Sequence, residues 1–233
     1  MAHSNLRITL CLCLILLIVF GAFLPSLKNG FVNWDDDCYV LNSSSISSSI
    51  SASNLKSIFT SFSVGHYQPL TILSYAFDYQ LFKLNPYYYH LTNLILHLLN
   101  SLLVFYLIYL LSGNIGVSFI TAILFGIHPL HVESVAWISE RKDVLYSFFF
   151  LLSCIIYLYY LTKERNSKYY LLSLFLFLCS LLSKSMAVTL PLLLLLMDYY
   201  LKRKPNKELL LDKIPYFFLT AISCIIVFFG VIL

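Results

Sequence analysis

LTNLILHLLNSLLVFYLIYLL, residues 91–111, decides the fold. It carries no Lys, Arg, Asp or Glu and is near the roughly 20 residues needed to cross a hydrocarbon core. Leu6–Leu27, Val144–Leu161 and Ile214–Leu233 are runs of comparable length and character. Backbone N–H and C=O groups in lipid must be satisfied within their own segment, so such runs are helices. The whole chain agrees: of 233 residues 60% are hydrophobic and 11% charged, with a mean hydropathy of +0.83. These values exclude an ordinary soluble domain and predict an all-α polytopic membrane protein.

Shorter apolar runs raise the expected count to about seven spans: 6–27, 90–111, 115–130, 144–162, 169–183, 186–200 and 214–233. A single straight helix over 169–200 would be about 48 Å long at 1.5 Å per residue. That exceeds a core of roughly 30 Å, so the stretch is read as two spans broken at Ser183-Lys184-Ser185. The first run has Arg7 ahead of it, but Phe23-Leu24-Pro25 follows where a small-residue cleavage site would stand, so it reads as an uncleaved anchor. The sequence ends at Gly230-Val231-Ile232-Leu233, inside an apolar run, which reads as a fragment or a truncated gene product.

With the N-terminus cytoplasmic, Arg7, Lys163, Arg165, Lys168, Lys202, Arg203, Lys204, Lys207 and Lys213 fall inside, concentrated in short loops, as the positive-inside rule requires. Among the acids, Glu164, Asp198, Glu208 and Asp212 fall inside. Asp35, Asp36, Asp37, Asp78, Glu133, Glu140 and Asp143 fall outside. Carboxylate chemistry is therefore expected on the outer face. The large outer loop, about 28–89, opens with a serine-rich stretch, Ser43–Ser53, that reads as a solvated connector. Leu55, Ile58, Phe59 and Phe62 then mark a short amphipathic helix with Ser53 as N-cap. A second helix is predicted from Pro69 to about Phe82. Both are expected to lie on the membrane surface. Five of the six cysteines sit in apolar runs and leave only Cys38 in an aqueous loop, so no disulfide framework is expected.

Against this apolar background, His128-Pro129-Leu130-His131-Val132-Glu133 and Glu140-Arg141-Lys142-Asp143 crowd ionisable groups into one outer segment. Asp35-Asp36-Asp37 crowds three carboxylates after the first span, and such a group can deprotonate a hydroxyl or bind a cation. Arg141 and Lys142 can neutralise a phosphate. Lys184, between two short spans, needs a counter-charge such as Asp35, Glu133 or a lipid-linked phosphate. His131 and Glu133 form a ligand or acid/base pair, although no complete metal set is visible; a divalent metal there is the alternative. On the second span, His90, Asn93, His97 and Asn100 share one helix face. The last three are read as interhelical hydrogen-bonding groups, with His90 near enough to the outer end to join a site.

Phe31-Val32-Asn33-Trp34-Asp35-Asp36, Gln68-Pro69-Leu70-Thr71, His90-Leu91-Thr92-Asn93-Leu94, His128–Trp137, Ser139–Asp143 and Leu182-Ser183-Lys184 follow one another in an order that resembles the membrane half of tetratricopeptide-repeat membrane proteins related to O-mannosyltransferases. The resemblance implies a GT-C glycosyltransferase fold occupying 1–233, without the repeat region. It implies transfer of a sugar from a polyprenyl- or dolichyl-phosphate to a hydroxyl, such as a protein Ser or Thr, on the non-cytoplasmic face. Asp35 or Asp36 takes the place of the catalytic base. Arg141, Lys142 and Lys184 are assigned to the donor phosphate, and His90, His131, Glu133 and Asp143 to shaping the site. Where the family often has Glu or Pro after the lysine, this chain has Ser185. The expected partners are membrane lipid, the lipid-phosphate sugar and a protein acceptor, with no nucleic acid, in a bacterial inner membrane rather than the endoplasmic reticulum. The rival reading is a non-catalytic anchor or scaffold for a repeat array. A transporter fits less well, because the charges gather at one face rather than the midplane.

Overall fold

The computed structural model describes the backbone of residues 2–163 and 165–232 and the side chains of 5–163 and 165–230. Glu164, read above as an inner acid, lies outside the described residues. Those residues are helical without a named strand. They form α1 (Ala2–Phe23), α2 (Ser44–Ser47), α3 (Ala52–Thr60), α4 (Pro69–Phe82), α5 (Pro86–Ser112) and α6 (Ile115–Gly126). After these come α7 (His131–Ala136), α8 (Arg141–Thr162), α9 (Ser167–Ser183), α10 (Leu190–Tyr200), α11 (Lys207–Leu211) and α12 (Ile214–Ile232). Among the described residues four segments are long and apolar enough to cross a membrane: Asn5–Lys28, Pro86–Ser112, Ile138–Thr162 and Lys207–Gly230. Ile115–Gly126, Ser167–Ser183 and Ser185–Tyr200 are shorter apolar helices.

Contacts fix how these seven run. Ile8 and Leu12 near the start of α1 line one cavity with Phe105 and Tyr109 late in α5, while Phe23 at the end of α1 packs edge-on to His97, early in α5. α6 returns, so that Gly126 at its end accepts a bond from His97. Asn100 donates to the Val144 carbonyl, which sets α8 parallel to α5. α9 comes back along α8 through a serine seam: Ser153 and Ser173 each donate to the other's carbonyl at 2.8 Å, and Ser180 donates to the Tyr146 carbonyl. Small hydroxylated residues let helices approach closely where lipid gives no hydrophobic drive. Tyr157 of α8 donates to Asp198 at the end of α10, and Lys213 at the start of α12 reaches the same carboxylate at 2.5 Å. The seven apolar helices thus alternate in direction. The sharp reversal between α5 and α6 follows from Gly113, whose φ of 65° suits a residue without Cβ, and from Asn114, whose side chain caps the Gly116 and Val117 amides.

Each end of the bundle carries charge. At one, Arg203 pairs with Asp212 and Asp198, and Lys213 pairs with Asp198, clamping residues 201–213 to α8 and α10. At the other, the outer loop folds over the helix ends around its own small core of Tyr39, Val40, Ile46, Ile58, Ile72, Tyr75, Tyr89 and Ile138.

Three expectations for this loop need correction. The serine stretch is an ordered element: Ile46 of α2 is wholly buried, and Asn54 donates to the carbonyls of Ser45 and Ser49. The cap of α3 is Ser51, whose hydroxyl accepts the Asn54 amide, while Ser53 bonds the Ser51 hydroxyl from inside the first turn. α4 has the predicted bounds but is more than a surface helix. Thr71, Ile72, Tyr75 and Ala76 are buried, Thr71 donates to the Ser183 carbonyl at the end of α9, and Tyr75 donates to Ile138. A tyrosine and a threonine that look interfacial in sequence find their partners among other helices' carbonyls.

Candidate functional site

The three adjacent aspartates do different things because the turn after Trp34 aims them apart. Asp36 is fully buried. One oxygen accepts the Ser139 amide at 2.9 Å and the Ser139 hydroxyl, the other the Val32 amide at 3.0 Å. It therefore fastens the start of the outer loop to the turn ahead of α8 with hydrogen bonds alone. Asp37 holds the following amide, that of Cys38. Asp35, with its side chain 32% exposed, reaches Lys142 at 3.9 Å.

From Asp35 a chain of alternating charge runs across the mouth of the bundle. Lys142 also contacts Glu140 at 2.9 Å; Glu140 meets Lys184 at 3.4 Å; Lys184 contacts Asp143. Three carboxylates alternate with two ammonium groups, drawn from the outer loop, the start of α8 and the junction of α9 with α10. The α8 N-terminus suits Glu140 and Asp143, since its unpaired amides favour negative charge. Burial alone would lower the pKa of Lys184, but the hydrogen bond and charge of Asp143, and then Glu140, outweigh it and hold Lys184 above the ordinary lysine range. The phenol of Tyr39, under the Lys142 ammonium, is pushed up to about 12, first by burial and then by the Asp35 carboxylate. Beside the charge chain lies a recess of about 300 Å³ whose walls include His66, Tyr67, Gln68, Glu140, Lys142, Lys184 and Met186.

The other expected residues lie at varying distances from this recess. Arg141 does not face it. Its side chain is fully buried, with Nε on Asn93 at 2.8 Å, Nη2 on the Tyr89 carbonyl at 3.0 Å and on Asp78 at 2.6 Å, and Nη1 near the Ser74 hydroxyl. The guanidinium also sits 4.5 Å from the Tyr75 ring centre. This ties α4, α5 and α8 together and leaves little of the guanidinium for a phosphate. Burial lifts the Asp78 carboxyl above its usual value, with the Arg141 charge opposing that shift. His90 is 1% exposed and both ring nitrogens lack hydrogen-bond partners. His131 packs against Phe125, with ring centres 4.6 Å apart, and against His97 at 5.5 Å. Burial lowers its pKa, helped by the neighbouring His128. Glu133 is exposed on α7. Asp143 links α7 to the charge chain by accepting the Ser134 hydroxyl at 3.1 Å. Among the described residues no group of three or more His, Cys, Asp or Glu is placed to hold a metal ion, at His131 and Glu133 or elsewhere. Asn93, His97 and Asn100 are the interhelical hydrogen-bonding groups that their spacing indicates.

Sequence reading missed two residues here. Glu140 stands at the centre of the charge chain, and its signal was present, since it shares the motif with Arg141 and Lys142. Gln68 lines the recess; its signal was its place in the Gln68-Pro69-Leu70-Thr71 motif, although an uncharged amide before a proline reads by itself as a helix-start residue.

No protein-family model matches the chain, and no solved structure matches it significantly. Curated relatives do. The chain is 38% identical over 133 residues to Protein O-mannosyl-transferase TMTC1 of Mus musculus, covering 53% of this chain and 14% of that protein. It is 32% identical over 167 residues to Protein O-mannosyl-transferase TMTC3 of Homo sapiens, covering 67% and 17%. It is 32% identical over 181 residues to Protein O-mannosyl-transferase Tmtc1 of Drosophila melanogaster, covering 74% and 21%. The chain thus spans about a fifth or less of the length of these relatives. All three are animal proteins, so the expectation of a bacterial inner membrane is not supported.

Proposed function

We propose that this chain, a homologue of the protein O-mannosyl-transferases, is part of a multi-pass membrane glycosyltransferase with its reacting groups at the Asp35–Lys142–Glu140–Lys184–Asp143 end. All seven apolar helices cross the membrane in this reading, in a GT-C-type arrangement. The clamped Asp198–Lys213 end is cytoplasmic and the recess faces outward. The donor is a lipid-phosphate sugar and the acceptor a hydroxyl of a protein Ser or Thr.

The observation that carries the reading is the division of labour between Asp35 and Asp36. A general base must have a free carboxylate oxygen within reach of a hydroxyl. Asp36 has both oxygens occupied, whereas Asp35 is partly exposed beside Lys142. Asp35 takes the acceptor's proton as the hydroxyl oxygen attacks the anomeric carbon. The bond from that carbon to the phosphate oxygen breaks, and the lipid phosphate leaves with the electron pair. Lys142 and Lys184 supply positive charge toward that developing anion. Asp36, Arg141 and Asp78 hold the loop and helices that carry these groups.

The test is transfer from a radiolabelled polyprenyl-phosphate mannose to protein by membranes holding the full-length protein. Label should appear on protein with the wild type and be lost with Asp35→Asn. Equal labelling by the two would remove the base assignment, and no labelling by the wild type would remove the transferase reading. The rival, a non-catalytic anchor, draws on one observation: both lysines at the site already have carboxylate partners. It predicts that changing Lys142 and Lys184 together alters no enzymatic product.

A further inference from the structure

We infer that the recess between the outer loop and the start of α8 receives the hexose ring of the donor, with Gln68 as a ring-hydroxyl donor, and leaves the phosphate at its mouth. This rests on the transferase reading and refines it.

The side chains bordering the recess include two lysines, Lys142 and Lys184, and both are neutralised by Glu140, Asp35 and Asp143. Three carboxylates against two ammonium groups give these five side chains a net charge of −1 when all are ionised. An anion drawn fully inside would have to displace carboxylates from their partners, and a phosphate gains little from such an exchange. A neutral ring bearing several hydroxyls gains from it, because each hydroxyl is both donor and acceptor. It can give its hydrogen to Glu140 and take one from an ammonium without separating the pair.

Gln68 points the same way independently of charge. It is 4% exposed and lines the recess, and its Nε2 has no hydrogen-bond partner. Its amide leans toward the Tyr39 phenol, a hydrogen-bonding influence that lowers the Tyr39 pKa against burial, without closing a full hydrogen bond. A buried amide donor without a partner is costly. An oxygen arriving in the recess would satisfy it. Tyr67 and Met186 add apolar surface for the CH face of a ring, and about 300 Å³ is at the small end for ligand pockets, suited to a single ring rather than a chain.

The experiment compares two probes on the purified full-length protein: polyprenyl phosphate and polyprenyl-phosphate mannose. Wild type should bind the sugar-bearing lipid more tightly. Gln68→Leu should lower affinity for that lipid about tenfold, the scale of one lost hydrogen bond with its orphaned partner, and leave polyprenyl phosphate within about twofold. Met186→Trp, which fills the recess from an exposed position, should do the same and serves if Gln68→Leu does not fold. Parallel losses for both lipids, or no loss for either, overturn the assignment. Saturation-transfer NMR with methyl α-mannoside separates this from the transferase reading. Free-sugar binding that disappears in Met186→Trp, in a protein without transfer activity, keeps the sugar recess and removes the transferase. Full polyprenyl-phosphate binding with no free-sugar signal removes the sugar recess alone.

Discussion

Arg141 shows most sharply how a residue's type and its place can point in different directions. In sequence it stands between Glu140 and Lys142 and looks like a phosphate ligand; in the structure it is among the largest fully buried side chains of the described residues. The planar fork explains the difference: one guanidinium can satisfy Asn93, Tyr89 and Asp78 at once, which lysine cannot. Position along α8 decides which side chains reach the recess, and the sequence states position only to within a helix face. Arg141→Met should leave the Asp78 charge buried and uncompensated, lowering stability by about 3–5 kcal/mol. Asp78→Asn in the same chain should restore part of it. Thermal unfolding in detergent reads both, and an unshifted midpoint for the single variant would contradict the buried role. Asp35 and Asp36 carry the same lesson. Adjacent and identical in chemistry, they are separated only by the backbone turn that buries one and not the other.

At the level of elements, the long apolar helices were legible because lipid imposes length and composition together. The short ones, α6, α9 and α10, were legible as shorter apolar runs, and the length limit of a single span separated α9 from α10. The outer loop was less so. Pro69 announced α4, but nothing in its sequence told that Thr71 and Tyr75 would bond carbonyls of the α9 end and the turn before α8. The serine stretch looked solvated by composition, yet one isoleucine, Ile46, anchors it in the loop core. Helix packing gives a direct prediction at this scale. A Cβ at Gly126 would collide with Val19 and come within 3.0 Å of the Ser101 hydroxyl. Gly126→Ala should therefore push α1 off the α5–α6 pair and cost about 1–3 kcal/mol. Ser101→Ala together with it should recover little, because Val19 is the nearer obstacle. Stability equal to wild type would show that α1 does not pack there.

For the whole molecule, the alternating helices place two charged ends on opposite sides. One, clamped by Asp198, Arg203, Asp212 and Lys213, lies among the dense basic loops; the other holds the recess. Cys38 is exposed on the recess side. A membrane-impermeant maleimide should therefore label it from the non-cytoplasmic side in sealed vesicles, and Cys38→Ser should abolish that labelling. A hydrogen bond from the thiol to the Asp37 carboxylate, and then the charge of Asp37, raises the thiol's pKa, so labelling should be slow near neutrality and speed up as pH rises. Labelling only from the cytoplasmic side would invert the topology. The resemblance read from the motifs of residues 31–184 and the homology to O-mannosyl-transferases agree on the type of protein. Which carboxylate has both oxygens bonded and which stays partly exposed was legible only in three dimensions. The most direct measurement compares Asp35→Asn and Asp36→Asn in the same membranes, scoring sugar transfer per folded molecule alongside the unfolding midpoint. Asp35→Asn should keep the wild-type midpoint and lose transfer by about 100-fold or more, whereas Asp36→Asn should lower the midpoint and keep substantial transfer per folded molecule. Full transfer by Asp35→Asn, with loss confined to Asp36→Asn at an unchanged midpoint, would contradict the base assignment.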